Sequence, residues 1–369
     1  MEVLSEDHKL IAEAAQGFLK AGHGVEAFRA LRDAGDDKNA ALRSEIAGMG
    51  WMGILLPEAV GGVDFGYRAA GLIAEAMGRN LTISPFLSSA ILAATVLRAV
   101  GGTALQHWGP RLAEGQVTMA LALEEGTKHR PDRIATTLAE TASGLRLTGR
   151  KGFVVDGGAA DRLIVVAKQG GACVLVLVDP AADGVVVTEQ IMLDHRNAAA
   201  VAFEDVALAQ ADVLAMGPEA EAALAQALAA GRAVAAAEQL GVAKAAAEQS
   251  FDYLRTRKQF GVLIGQFQAL QHRAADLYCE LAQADSLVAA ALNALDAGSD
   301  DSELLTRAAK AKLARVGRQA TEEGVQMHGG IGMTDAMDLG LFMKRDRALS
   351  EFLGDAGYHT NWILRHRGI

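Results

Sequence analysis

Cysteine is scarce in this chain. Two residues in 369, Cys173 and Cys279, lie far apart and form no C-x-x-C pair, which excludes a disulfide-stapled scaffold and a dithiol redox motif. A reduced, cytoplasmic protein is the expectation, with Cys173 as a core thiol inside the apolar run ACVLVLV. Long hydrophobic runs are missing too. Charge interrupts every apolar stretch before the roughly 18 to 20 residues that a bilayer-spanning helix needs. The opening MEVLSEDHKL is polar and acidic; it lacks the basic start, apolar stretch and cleavage site of a secretory leader. Positive charge is in deficit, with 35 Lys and Arg against 45 Asp and Glu, a net charge of −10 and a pI near 5.4. That balance disfavours nucleic acid and anionic membranes as partners. Neither His272 nor His328 has a second His, Asp or Cys at metal spacing, so no metal site is expected. No G-x-G-x-x-G follows a strand-like run, which argues against a Rossmann dinucleotide site. There are no internal repeats.

What is present is apolar residue in quantity, 51% of the chain, enough for two or three domains with helical cores. Residues 1–117 read as an N-terminal helical domain. SEDHKLIAEAAQGFLK has Ser5 as N-cap and apolar residues at helical spacing. AALRSEIAGMGW, YRAAGLIAEAMGRN and PFLSSAILAATVLRAVG continue that pattern, and LPEAVGG reads as a loop. From residue 118 to about 215 the pattern becomes short Val-, Leu- and Ile-rich runs, such as VTMALALEE, DRLIVVAKQ and ACVLVLVD. These read as an antiparallel β domain. Residues 216–369 return to helix: one long Ala-rich helix, two more over residues 265 to 296 and 302 to 328, and a last one after Asp355. Four helices with short connections suggest a C-terminal bundle.

The stretch FDYLRTRKQFGVLIGQFQALQHRAADLY, residues 251 to 278, is the most informative. It reads as a helix ending at Gly261, a turn, and a second helix from Gly265. Arg257, Gln259, Phe260 and Gln268 sit at the joint. A guanidinium and amides beside helix ends suit a phosphate and a polar ring; a helix-end charge with ordinary surface amides fits the spacing equally.

R-x-x-F-G-x-x-I-x-x-F-Q in this stretch resembles the signature of the acyl-CoA dehydrogenase family. GWMGILLPEAVGG (Gly50 to Gly62), QMHGGIGM (Gln326 to Met333) and MKRDRA (Met343 to Ala348) are similar to its other blocks, in the same order. The resemblance spans nearly the whole chain. It implies a helical domain, a β domain and a helical bundle, with FAD as cofactor. It also implies α,β-dehydrogenation of an acyl-CoA thioester: a carboxylate takes the α-proton and flavin takes the β-hydrogen as hydride. An electron-transfer flavoprotein is the implied acceptor.

Carried over residue by residue, the resemblance splits. The usual base, the Glu of an E-G-T triplet, falls on Gly354, followed by Asp355 and Ala356. The alternative base position of some members falls on Gly231, beside Arg232. Asp355 is a weak substitute. The flavin-ring segment becomes ALEEGTKHRPD, with Glu124 replacing the ring-holding Thr and Arg130 replacing a Ser. W-I-T becomes Phe153-Val154-Val155. A carboxylate at Glu124 would repel a reduced, anionic ring. His129-Arg130 reads as a solvated loop pair or as a contact to CoA phosphates. The contacts that the resemblance assigns to the ADP half of a neighbouring subunit's FAD are all kept: Arg257, Phe260, Gln268, Gln326, Gly329 and Gly330. The expectation is therefore a subunit of a heteromer. It lends its ADP-binding half to a homologous, base-bearing partner, as in bacterial heterotetrameric enzymes for bulky steroid side-chain CoA thioesters. The LGDAGYH ending is similar to such partners. The alternatives are a homotetramer with a relocated base, Asp355 or Glu124, and a non-enzymatic scaffold that binds acyl-CoA or protein.

Overall fold

The computed structural model describes residues 4–142 and 144–369. The acidic opening at Met1–Val3 lies outside the described residues. The chain packs into two compact units. One comprises residues up to Asp33, Tyr67–Thr82 and Arg232–Ile369; the other comprises Ala34–Gly66 and Ile83–Gly231.

The first unit is helical. Helix α1 (Glu6–Gly22) starts as its sequence dictates, with the Ser5 side chain accepting a hydrogen bond from the His8 N–H at 3.2 Å. Helix α2 (Val25–Ala34) follows, and α4 (Gly66–Asn80) joins them after α3 (Ala40–Gly48) in the second unit. Helix α7 (Pro218–Thr256) runs for 39 residues, those from Arg232 onward in this unit, a length its Ala content favours at every turn. It leads into α8 (Gln268–Asp296), α9 (Ser302–His328), α10 (Leu339–Glu351) and α11 (Ala356–His366). Helix α9 packs against α8, α10 and α11.

Helices α4 and α7 meet backbone to backbone. A Cβ on Gly78 would lie 1.9 Å from the Glu238 carbonyl oxygen, and one on Gly241 would lie 2.0 Å from that of Glu75. Glycine is required at both positions because nothing larger fits. Arg345 of α10, fully buried, donates to Glu238 Oε1 at 2.9 Å and to the Thr82 and Leu81 carbonyls at 3.1 and 3.2 Å.

The second unit holds the sheet. Its strands are β1 (Met119–Ala122), β2 (Thr137–Thr141), β3 (Gly144–Val155), β4 (Arg162–Gln169), β5 (Ala172–Val178), β6 (Val185–Ile191), β7 (Asn197–Leu208) and β8 (Val213–Met216). The order is β6-β7-β3-β2-β4-β5-β8, with β1 also on β4. Alternate residues such as Val174, Val176 and Val178 fill its core with Leu147, Val165 and Phe203. The sheet differs from the expectation in one respect: it is mixed. The β1–β4 pairing is parallel, Met119 opposite Arg162 through Ala122 opposite Val165, as is the single β2–β4 contact. Period-2 patterning fixes which face is buried, not strand direction, so the sequence is silent on this point. The segment read as one apolar helix after Pro85 opens as a π-helix, Phe86–Ala93, then becomes α5 (Ala94–Val100), followed by α6 (Gly102–Ala113). Cys173 is half-buried rather than a core thiol, and burial raises its pKa.

Among the described residues no helix is long and apolar enough to cross a membrane, and no cluster of His, Cys, Asp and Glu suits a metal. One buried ion pair secures the β1–β3 region. Lys151 Nζ, with no exposed side-chain surface, donates to Glu125 Oε1 at 2.7 Å. Burial pushes the Glu125 carboxyl up. Hydrogen bonds from Lys151, Thr136 and the Thr136 and Ala135 amides outweigh it and hold the group at about 2. Glu125→Gln leaves that ammonium without its counter-charge and should cost about 3 to 5 kcal/mol in a denaturant melt. The pH dependence has a definite sign. A carboxyl lowered on folding contributes stability above its ordinary value of 4.5 and loses it as pH falls to about 2. Acid titration followed by circular dichroism should therefore show the wild type losing more stability over that window than Glu125→Gln.

Candidate active site

The residues singled out at the α7–α8 joint lie at one end of the helical unit. Helix α7 stops at Thr256, and Lys258–Gln259 pairs with Val262–Leu263 as a two-stranded hairpin, β9 and β10. The two residues between them, Phe260 and Gly261, have φ of 52° and 81°. This is the primed turn that tight hairpins adopt. Gly261 is thus a turn residue rather than the helix end, and α8 starts at Gln268 rather than Gly265, after a 3-10 turn at Ile264–Gln266. A phenylalanine at positive φ is strained. Phe260 is also 92% exposed, with the Phe267 ring edge-on at 6.2 Å.

Beneath the hairpin, Leu254, Ile264 and Met327 form a small core, and Tyr253 stacks on buried His328 at 4.1 Å. These contacts fasten the joint to the end of α9. Arg257, Phe260 and Gln268 therefore share one end of the unit with Gln326, Gly329 and Gly330, and all six are exposed. Gly329 needs glycine for its φ of 64°, and a Cβ added there or at Gly330 would touch nothing. The space over the two glycines is open. The Arg257 guanidinium has no ion pair among the described residues. One cation, two amides and an open glycine backbone form a donor set that fits a diphosphate-bearing group.

The two positions that the family resemblance assigns to a base, Gly354 and Gly231, are different in kind. Gly354 is buried with φ of 106°. A Cβ there would meet Tyr358 Cδ1 at 2.6 Å and His359 Nε2 at 2.9 Å. Asp355 is the N-cap of α11 and accepts from the Tyr358 N–H at 2.8 Å, so its carboxylate already has a structural role. Lys310, completely buried, donates to the carbonyls of Leu349 at 2.6 Å, Ser350 at 3.2 Å and Gly354 at 3.4 Å. It closes the end of α10 onto the turn carrying Gly354, and burial pulls its pKa down to about 8.

Gly231 is buried on α7. Its neighbour Arg232, 1% exposed, is paired with Glu303, and burial lowers its pKa to about 10. Glu303 also accepts from Arg307 at 2.6 Å, and Arg307 lies over the Trp362 and Tyr358 rings at 4.4 and 5.5 Å. Glu124, in the sheet unit, is taken up by His129, 2.5 Å away. His129 is buried, so it is not a solvated loop charge. Sequence reasoning missed Lys310, Glu303, Tyr358 and His359. The i, i+4 step from Gly354 to Tyr358 was the available signal.

Family models for the acyl-CoA dehydrogenase N-terminal and C-terminal domains match residues 5–116 and 221–367. The chain is 30% identical to the acyl-CoA dehydrogenase IpdE2 of Mycolicibacterium smegmatis, over 95% of this chain and 96% of that protein. It is 29% identical to the acyl-CoA dehydrogenase FadE34 of Mycobacterium tuberculosis over 98% of its own length, but spans only 48% of that relative. Among solved structures, a variant of the Tcur3481-Tcur3483 steroid ACAD superposes with a TM-score of 0.87 at 27% identity, over 98% of both chains.

Restoring a carboxylate by Gly354→Glu should fail for a steric reason. The strained φ and the two rings should cost about 2 to 4 kcal/mol, read as a lower melting temperature, with Gly354→Ala showing most of the same loss. A Gly354→Glu chain that melts like the wild type would mean that Tyr358 and His359 move aside freely.

Proposed function

The chain belongs to the acyl-CoA dehydrogenase family, FAD-dependent oxidoreductases of CH–CH bonds, and on that premise we propose that it is a base-lacking subunit of a heteromeric enzyme. Its exposed end, with Arg257, Phe260, Gln268, Gln326, Gly329 and Gly330, holds the ADP half of a flavin whose ring lies in a homologous, base-bearing partner. When bound, FAD supplies the hydride acceptor for the β-hydrogen of the acyl-CoA. The partner's carboxylate removes the α-proton. This chain's own contribution is binding: Arg257 neutralises diphosphate charge, and the two glycines admit close backbone approach.

The observation that carries the reading is the contrast between the two places. The ADP-type surface is open and unpaired, while the position that the family resemblance assigns to the base is a glycine at positive φ packed under Tyr358 and His359, where any side chain would be strained. Asp355 and Glu124, the carboxylates a self-sufficient enzyme would need, are engaged as a helix cap and with His129. In this reading residues 1–117, 118–215 and 216–369 act as three functional segments. The substrate is a bulky acyl-CoA of the steroid side-chain type, supported by the likeness to a steroid ACAD. Electrons pass to an electron-transfer flavoprotein.

The test is the flavin absorption near roughly 450 nm. The chain purified alone should be colourless. Co-purified with a base-bearing homologue it should be yellow, with one FAD per two chains. Stoichiometric flavin in the pure homomer would sink the proposal. In the complex, Arg257→Ala should weaken FAD about 10- to 100-fold through loss of a charge-assisted contact.

A further inference from the structure

From His328 to Leu339 the chain crosses the surface with almost no hydrophobic anchor. Both end residues are buried, but of the ten residues between them only Gly332 is. Ile331 and Met333 point outward, 46% and 78% exposed. Local bonds order its start and middle: the Gly329 N–H bonds to the Gln326 and Val325 carbonyls of α9, Gly329–Met333 forms a 3-10 turn whose buried Gly332 lies against the end of α9, and Thr334 N–H and Met337 N–H bond to the Ile331 and Thr334 carbonyls. The long-range hold comes from α2. Arg32 grips Asp335 with both terminal nitrogens, Nη1 to Oδ1 at 2.7 Å and Nη2 to Oδ2 at 3.0 Å. Arg29 donates to Asp338 Oδ1 from Nε at 3.0 Å and Nη2 at 2.8 Å, and reaches Asp335 Oδ2 at 3.2 Å.

These are bidentate, shared contacts between residues about three hundred positions apart. Both arginines are three-quarters shielded from solvent, with side chains 22% and 24% exposed. Isolated surface pairs contribute little, but a forked network with shielded guanidinium groups has the geometry that makes ion pairs count. Asp33 completes it, accepting from Arg32 Nε at 2.8 Å.

We infer that Arg29 and Arg32 are positioning residues: by clamping Asp335 and Asp338 they hold the Gly329–Met333 loop open, with its glycines presented to the diphosphate of FAD. The ligand named here rests on the function proposed above; the clamp itself does not. An ionic tether in place of a packed core makes the loop sensitive to ionic strength, since added salt screens such contacts.

The experiment uses the full chain, alone and co-purified with a base-bearing homologue. Hydrogen exchange at the 329–334 amides should accelerate about tenfold or more in Arg29→Ala/Arg32→Ala, with the hairpin at 258–263 unchanged. Salt raised from about 0.05 M to about 0.5 M should move the wild type in the same direction. In the complex, the double Ala variant should bind FAD about tenfold more weakly, and Arg29→Lys/Arg32→Lys should recover most of that loss. A destabilised fold would not give this rescue or this localisation. Unchanged exchange at 329–334 overturns the inference, as does undiminished FAD binding by the Ala variant in a yellow complex. If no assembly of the wild type binds FAD, the proposed function fails, while accelerated exchange still upholds the clamp.

Discussion

The helical unit depends on one close crossing. Helices α4 and α7 approach until glycine on each faces a carbonyl on the other, Gly78 against Glu238 and Gly241 against Glu75. Two helices this close leave no room for side chains between them, so a methyl at either glycine would force them apart. The same crossing creates the pocket that Arg345 fills. Its guanidinium, fully buried, meets Glu238 from α7 and the two carbonyls just past the end of α4. A charge at that depth is tolerable only with its partners in place; removing one costs about 3 to 5 kcal/mol. The glycine contact sets the distance and the arginine fixes the register, with α10 joined to both helices.

That register carries over to the positions where a base would stand. Helix α10 begins its exit at Glu351, and Lys310 from α9 gathers its final carbonyls together with that of Gly354. The turn is therefore held by a buried cation on one side and by the Asp355 cap of α11 on the other. With backbone fixed at both ends, the side chain at 354 has no freedom to relocate, and the rings of Tyr358 and His359 occupy its space. Along α7 the neighbouring position is equally committed: Arg232 has Glu303 as counter-ion, and Arg307 shares it beneath Trp362. What stands at the positions that the family resemblance assigns to a base is a packed set of ion pairs and rings. This differs from an active-site cavity that has lost one side chain.

Periodicity made the helix–sheet–helix order readable, because amphipathic spacing reports which face is buried. Ser5 was legible as a cap because the hydroxyl is followed at once by a helical pattern. The hairpin at Lys258–Leu263 was not: four paired residues are too few to show alternation, and a glycine there reads equally well as a helix stop. Asp355 illustrates a different blindness. A carboxylate beside the position that the resemblance assigns to a base looks chemically suggestive in a linear string, whereas its position immediately before an α-helix gives it a backbone N–H to accept from. Lys151, Lys310 and Arg345 were invisible as buried charges, since each depends on partners 26 or more residues away in sequence.

The exposed end raises a question of cost that bears on function. Phe260 combines a left-handed backbone conformation with 92% exposure of an aromatic residue, two unfavourable features at one residue. Tight-turn geometry requires the first, since both central positions of this hairpin need positive φ; asparagine or glycine would meet that need with less strain. An aromatic ring in that place adds nothing to the core below, which Leu254, Ile264 and Met327 already fill. Met333 and Ile331 add further apolar surface at the same end, on a loop tied to α2 by ion pairs. A chain that keeps strained and unburied apolar groups where smaller polar ones would serve its own fold gains from them only when something covers them. Under the proposed function the cover is the flavin's ADP half together with the subunit that supplies its ring, which makes the strain at Phe260 part of the binding surface.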